Sequence, residues 1–307
     1  VERGHDFDLF CRDFFALNET FNPSAFNPDA WAEAAAGAGM KYIVFVTKCH
    51  DGFCLFRTAQ TAYAVTDPSC PFHANPWADI AKEVLEAFRR RGFRAGVYFS
   101  LPDWHNPDYE DPALPVLREF EPNYDPKDRP EKWRRYLDFT HAQVEELVSN
   151  LGPLDILWLD GGGGADYDSD RLMATARRHQ PGILYVERGR GGRYGNYRTP
   201  EQEMPDEPLP YSWETCLTMG DYWAWNPDDY YHPARARWRK KEIPSMMTAL
   251  AMVSISLAIM ACNTARQNSA PVFRVEPEVS LVDQEVAVKA LCLAPGRVRR
   301  SDNERRA

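Results

Sequence analysis

The sequence predicts an α/β fold, a parallel (β/α) barrel of the TIM-like kind. Three observations predict it. Short, nearly continuous apolar runs recur along the chain. Amphipathic helix patterns bounded by a cap residue and a closing glycine separate them. Polar, aromatic and titratable residues stand directly after each run. Apolar strands alternating with helices describe a parallel sheet with both faces covered. Chemistry gathered at the carboxyl ends of strands is where such sheets and barrels place it. A chain of 307 residues has the volume for one domain of this kind.

Taken in order, Asn27 as cap, Pro28 in the first turn and Gly39 as stop bracket a helix over DAWAEAAAGA, and the buried strand Lys41–Thr47 follows. Asn75 and Pro76 open a second helix, on which Trp77, Ile80, Ala81, Val84 and Phe88 fall on one face, and Gly92 closes it before the strand Arg94–Ser100. A third helix carries Trp133, Tyr136, Thr140, Val144, Leu147 and Leu151 on one face and ends at Gly152, before the strand Leu154–Leu159. A fourth helix near Asp170–His179 precedes the strand Ile183–Val186. After these four strands come, respectively, Lys48 to Phe53 (KCHDGF), Pro102 to His105 (PDWH), Asp160 with Gly161–Gly164, and Glu187-Arg188.

Composition narrows the function classes. With 44% hydrophobic and 26% charged residues the chain is that of a folded globular protein. Its formal charge of −9 argues against nucleic acid as partner. Seven scattered cysteines form neither a disulfide framework nor a zinc pattern. Residues 233–307 carry 13 basic and 7 acidic side chains against 23 and 38 before them, so residues 1–232 are read as the partial barrel and residues 233–307 as a basic, motif-free tail. Within that tail the apolar run Met246 to Cys262 suits a buried core helix better than a membrane span, because Thr248, Ser254 and Ser256 dilute it.

Asp160 stands between an apolar strand and four glycines, so its carboxylate can project from a strand end while the backbone turns away. The same spacing also suits an Asp that only caps the turn. Acid/base cleavage of a glycosidic bond needs a second carboxyl group. Glu201, in a loop, and Glu214, beside Trp213, compete for it; an apolar wall of that kind holds a carboxyl protonated. Either could equally be a solvated rim charge. His50 can donate to a ligand hydroxyl or be structural. Cys49-His50-Asp51 is not read as a metal site, since neighbours on an extended chain point to opposite sides. Trp104, Trp158, Trp223 and Trp225 suit either core packing or stacking on a sugar.

Several motifs, in this order and spacing, make the stretch from about Phe7 to Tyr231 resemble the retaining α-L-fucosidases of glycoside hydrolase family 29. They are Phe21-Asn22-Pro23, Ala38 to Tyr42, Lys48 to Phe53, Gly96 to Ser100 with Trp104, Trp158-Leu159-Asp160-Gly161, Thr199-Pro200-Glu201-Gln202 and Trp213-Glu214-Thr215-Cys216. The resemblance implies an exo-acting fucosidase working by double displacement on a fucosylated oligosaccharide or glycoconjugate, with no cofactor and no metal. It implies Asp160 as nucleophile and Glu214 as the favoured acid/base, with Glu201 as the alternative. It implies His50, Lys48, Tyr98, Trp104, Arg188 and Trp223 as sugar-binding residues. Cys49 stands where the family usually has a histidine, and Val186-Glu187 where it has Asn-Asp. The family's opening Gly-(apolar)-His-Trp-Gly strand and its closing Gly-Gly-Asn-Leu-Leu-Leu-Asn strand are not found, so the resemblance implies a (β/α)8 TIM-like barrel incomplete at both ends and leaves an inactive carbohydrate-binding remnant as the alternative expectation.

Overall fold

The computed structural model describes residues 7–117, 120–161, 166–188, 194–203, 205, 207–218 and 223, with the backbone of two further strands. Helix α1 (Phe7–Phe15) and a 3-10 turn (Ala16–Thr20) lead into α2 (Pro28–Gly37) and β1 (Tyr42–Lys48). Then come α3 (Ile80–Arg90), β2 (Arg94–Ser100), α4 (Pro130–Asn150), β3 (Ile156–Asp160), α5 (Ser169–His179), β4 (Leu184–Glu187) and β5 (Tyr197–Arg198). The sheet runs β1-β2-β3-β4-β5 with every pair parallel, so each strand is joined to the next by a crossover. Strands β6 (Val272–Glu278) and β7 (Ala287–Leu293) form a separate antiparallel pair. The run Met246 to Cys262 lies outside the described residues. Among those described, no helix is long and apolar enough to cross a membrane.

Local chemistry accounts for the helix ends. Asn27 Oδ1 accepts from Ala30 N at 3.0 Å with Pro28 in the first turn of α2. Helix α3 corrects the sequence reading, because it opens at Ile80 with Asp79 as its cap, not at Asn75-Pro76. Asn75 Oδ1 accepts instead from Trp77 N at 2.8 Å, closing a local turn that leaves Trp77 outside the helix and 39% exposed. Two side chains able to cap lay four residues apart, and the second had the continuous apolar face behind it.

The two faces of the sheet differ. Phe45, Ala95, Val97, Phe99, Leu157 and Leu159 point into one core with the buried residues of α2, α3, α4 and α5. On the opposite face Tyr42, Val44, Tyr98, Ile156, Trp158, Val186, Tyr197 and Cys216 form a second, aromatic cluster. The period of two along a strand makes this division, and it puts Trp158 and Asp160 on the helix-free face.

One irregularity breaks the period. Val46 pairs with Tyr98 but Lys48 pairs with Phe99, so two residues of β1 oppose one of β2 in a bulge. Alternation alone would keep Lys48 on the face of Val44 and Val46. The bulge turns it to the helix side, where its ammonium lies 4.3 Å from the centre of the Phe99 ring.

Candidate active site

Strands β2 and β3 end level with each other, Ser100 beside Asp160. The Asp160 carboxylate is held from two sides: Oδ2 accepts from the Tyr98 phenol at 2.6 Å, and Oδ1 from Arg188 Nε at 3.2 Å. Gly161 makes the turn that follows at φ +74°, and a Cβ there would come within 2.6 Å of Pro102. The four-glycine run therefore begins with a residue that no other side chain could replace without strain.

His50 faces Asp160 across 3.8 Å, from Nε2 to Oδ2. Its Nδ1 lies 2.5 Å from Ser100 Oγ, and the Ser100 hydroxyl donates to Pro102 O at 2.7 Å. With the serine proton committed there, Nδ1–H must be the donor to Ser100 Oγ, and Nε2 of the neutral ring is an acceptor. Burial first, then the positive charges of Lys48 and Arg188, lower the His50 pKa, against the opposing effect of Asp160. Two acceptors thus face one another across a gap that suits a hydroxyl donor. Trp104 packs on the histidine at 5.5 Å between ring centres and donates its backbone N–H to His50 O at 2.8 Å.

Arg188, just after β4, joins the carboxylates. Its guanidinium lies 4.6 Å from the Trp158 ring centre, 3.2 Å from Asp160 Oδ1 and 2.6 Å from Glu201 Oε2, the last two through the same Nη2. Those oxygens are no further apart than the sum of the two distances, 5.8 Å. Glu201 is 42% exposed.

Glu214 sits deeper. Residues 198–202 and 212–216 run alongside each other in parallel, with Glu214 N bonded to Arg198 O at 3.0 Å. This places the Glu214 carboxyl against the aromatic cluster, where Oε1 accepts from Trp158 Nε1 at 2.7 Å and Oε2 from Tyr42 OH at 3.3 Å. Burial raises its pKa from 4.5 to about 7, although hydrogen bonds from Trp158 and Tyr42 pull the other way.

The structure therefore brings together Asp160, His50, Tyr98, Arg188, Glu201 and Trp104, with Glu214 beneath them behind Trp158. Lys48 corrects the expectation that it lies on the sugar-binding rim. It is fully buried between Asp103 Oδ2 at 3.0 Å and Gln143 Oε1 at 3.2 Å, because the bulge carries it to the other side of the sheet. Trp223 is 41% exposed, and its chain neighbours lie outside the described residues. Cys49 is in no disulfide, and burial pushes its thiol pKa up to about 11. Sequence reasoning gave no site role to Tyr42, Ser100 and Asp103, which lie in motifs or strand-end segments it singled out, and missed Phe120. Strand-end position pointed to Ser100 and Asp103, whereas no periodic signal marks Phe120, whose ring meets the His50 ring edge-on at 5.0 Å.

Known proteins resemble this chain in sequence and in the arrangement of its strands and helices. The chain is 32% identical over 157 residues to the putative alpha-L-fucosidase 1 of Oryza sativa subsp. japonica and 29% identical over 217 residues to the plasma alpha-L-fucosidase of Homo sapiens. These matches take in 50% and 67% of this chain but 25% and 42% of those proteins, so the chain spans less than half the length of either. Among solved structures, alpha-L-fucosidase isoenzyme 1 from Paenibacillus thiaminolyticus superposes with a TM-score of 0.58 at 34% identity, covering 69% of this chain and 53% of that one. Alpha-L-fucosidase AlfC from Lactobacillus casei, in complex with its fucose product, gives 0.59 at 28% identity, covering 73% and 70%. The fold shared with them is the (β/α)8 barrel, represented here by part of its parallel sheet and helices. A family profile described as Alpha-L-fucosidase matches residues 8–242, well over half of the sequence. With the profile match, the sequence relatives and the solved structures in agreement, the chain belongs to the alpha-L-fucosidase family, glycoside hydrolase family 29.

Proposed function

We propose that residues 1–232 form the catalytic part of an exo-acting α-L-fucosidase that releases L-fucose from fucosylated glycans with retention at the anomeric carbon. The observation that carries the reading is the Asp160 carboxylate at the end of β3, gripped by Tyr98 and Arg188 and facing His50. The family match over residues 8–242 supports the fucoside reading. A binding-only remnant is disfavoured, since binding needs no carboxylate fixed by two donors.

In this reading Asp160 attacks C1 of the fucoside while a second carboxyl group protonates the departing oxygen. Water then attacks the fucosyl ester, giving its proton back to that same group and releasing Asp160. Tyr98 and Arg188 hold the nucleophile to one line of approach. His50 Nε2 accepts from a sugar hydroxyl, and Trp104 braces the ring.

Glu214 is the favoured acid/base, because a carboxyl with a pKa near 7 carries the proton that the first step needs. One observation favours Glu201 instead. It shares Arg188 Nη2 with Asp160, which keeps Glu201 Oε2 no more than 5.8 Å from Asp160 Oδ1, a limit that admits the ~5–5.5 Å separation of carboxyl groups in retaining enzymes. Glu214 has the protonation state and Glu201 the position. Azide added to alanine variants with an aryl fucoside separates them. The acid/base variant yields α-L-fucosyl azide and recovers turnover, whereas loss of the other residue gives no azide product. A β-azide from Asp160→Ala supports the nucleophile; unimpaired hydrolysis by Asp160→Ala removes the reading altogether.

A further inference from the structure

The loop between β2 and α4 is tied down from within around residues 110–124. Asn123 Oδ1 accepts from Asp111 N at 2.8 Å, and its Nδ2 donates to Asp111 O and Pro115 O at 3.0 and 3.1 Å. The Glu110 carboxylate accepts from Leu117 N at 2.6 Å, and Asp111 is ion-paired with Arg129 and Lys132. These bonds fix the chain on both sides of Phe120, at residues 110–117 and at Asn123. Yet it turns Val116, Leu117 and Phe120 outward, at 37%, 47% and 49% exposure.

Phe120 stands beside the reacting centre. Its ring meets His50 edge-on at 5.0 Å, and its Cδ1 lies 3.3 Å from where a Cβ on Gly161, the residue after Asp160, would sit. Half its surface still faces solvent, so its position is not explained by the core. Exposed apolar area on an ordered loop, bordering a pocket of carboxylates and a histidine, marks a ligand contact.

We propose that Phe120 is the wall of a leaving-group subsite, stacking on the flat apolar face of whatever is joined through the scissile oxygen: an aryl ring or the C–H face of a pyranose. The inference rests on the fucoside-cleaving reading above. In that reading Asp160, His50 and Tyr98 surround the fucose, so the ring outside them meets the group beyond it.

Two inert ligands test it, phenyl and methyl 1-thio-α-L-fucopyranoside, titrated by calorimetry into the full chain alongside an aryl fucoside hydrolysis assay. The unaltered protein should bind the phenyl compound roughly tenfold more tightly than the methyl compound. Phe120→Ala should erase that advantage with the methyl affinity unchanged, and Phe120→Trp should keep it. A phenyl advantage that survives Phe120→Ala overturns the proposal. An equal loss for both ligands does so too, since it makes Phe120 a brace for His50. Binding of both ligands without any phenyl advantage defeats the subsite alone. Absence of both binding and hydrolysis in the unaltered protein defeats the fucoside reading, and the subsite with it.

Discussion

Lys48 and Asp103 form an ion pair of 3.0 Å in which neither side chain is more than 3% exposed. The pair ties the segment after β1 to the segment after β2. Asp103 Oδ1 also accepts from the backbone N–H groups of His105 and Asn106, at 3.1 and 3.0 Å, which fixes the turn carrying Trp104. Together with the Trp104 to His50 backbone bond, this gives the floor of the site one rigid frame.

Removing one partner strands a charge in that frame. Lys48→Met should lower the unfolding free energy by about 3–5 kcal/mol, since a buried carboxylate then has no counter-ion. Urea denaturation at pH 7 checks this, and a loss under about 1 kcal/mol would show that water reaches Asp103. The double variant Lys48→Met/Asp103→Leu should recover part of the loss.

Tyr98→Phe removes the 2.6 Å hydrogen bond to Asp160 and leaves the ring in place against Trp158. A hydrogen bond to a charged group is worth about 1.5–3 kcal/mol, so kcat/KM for an aryl fucoside should fall by roughly 10- to 150-fold. Thermal stability should change little. Unchanged kcat/KM would mean that the phenol does not orient the nucleophile.

Glu214 should set a pH dependence of both stability and rate. Its pKa of about 7 in the folded chain stands above its ordinary 4.5. Below the ordinary value it is protonated whether the chain is folded or not. Between the two values the unfolded chain gives up a proton that the folded chain keeps, so stability falls as pH rises. Above about 7 the loss is complete, on the order of 3 kcal/mol. Glu214→Gln should therefore become progressively more stable relative to the unaltered protein from pH 5 to pH 8, as read by paired thermal melts. If Glu214 is the acid/base, kcat/KM also declines above about pH 7. A stability difference that does not vary with pH would show that the buried group is not titrating.

Gly161→Ala should both destabilise the fold and slow the proposed fucoside hydrolysis. A residue with a Cβ is strained at φ +74°, by about 1–3 kcal/mol, and the added methyl would press on Pro102 at 2.6 Å. The relief available is a shift of the Asp160 main chain, so kcat should fall more than the melting temperature alone explains. Full activity in Gly161→Ala would show that the turn has room to adjust.

Much of this arrangement was legible in the sequence, for reasons that can be named. The strand Ile156–Asp160 is an apolar run closed by a carboxylate and a glycine, so both its buried character and the place of Asp160 at the strand end, on the helix-free face, follow from composition and a period of two. Helix α4 repeats its buried residues Trp133, Tyr136, Thr140, Val144 and Leu147 with helical spacing over 21 residues, long enough to override its many charges. Lys48 was misplaced because a bulge is a property of two strands together and leaves no mark in either alone. Helix α1 passed unread although Phe7, Phe10, Phe14 and Phe15 recur at i, i+3, i+7 and i+8, the spacing of one helical face. Phe120 escaped because a loop has no period, and its closeness to His50 depends on bonds made by Asn123 and Glu110.

The bulge in β1 bears on how this chain can change. Upstream of it the strand follows one alternation, with Val44 toward the aromatic cluster; downstream the same backbone must deliver Lys48 to the helices and His50 to the site. A swapped residue here alters one contact, but a deleted or inserted one exchanges inside for outside for everything that follows. The segment from Val46 to His50 is thus constrained in length more than in spelling. Variation there should arrive as substitution, as with the cysteine at 49, and hardly ever as a gap.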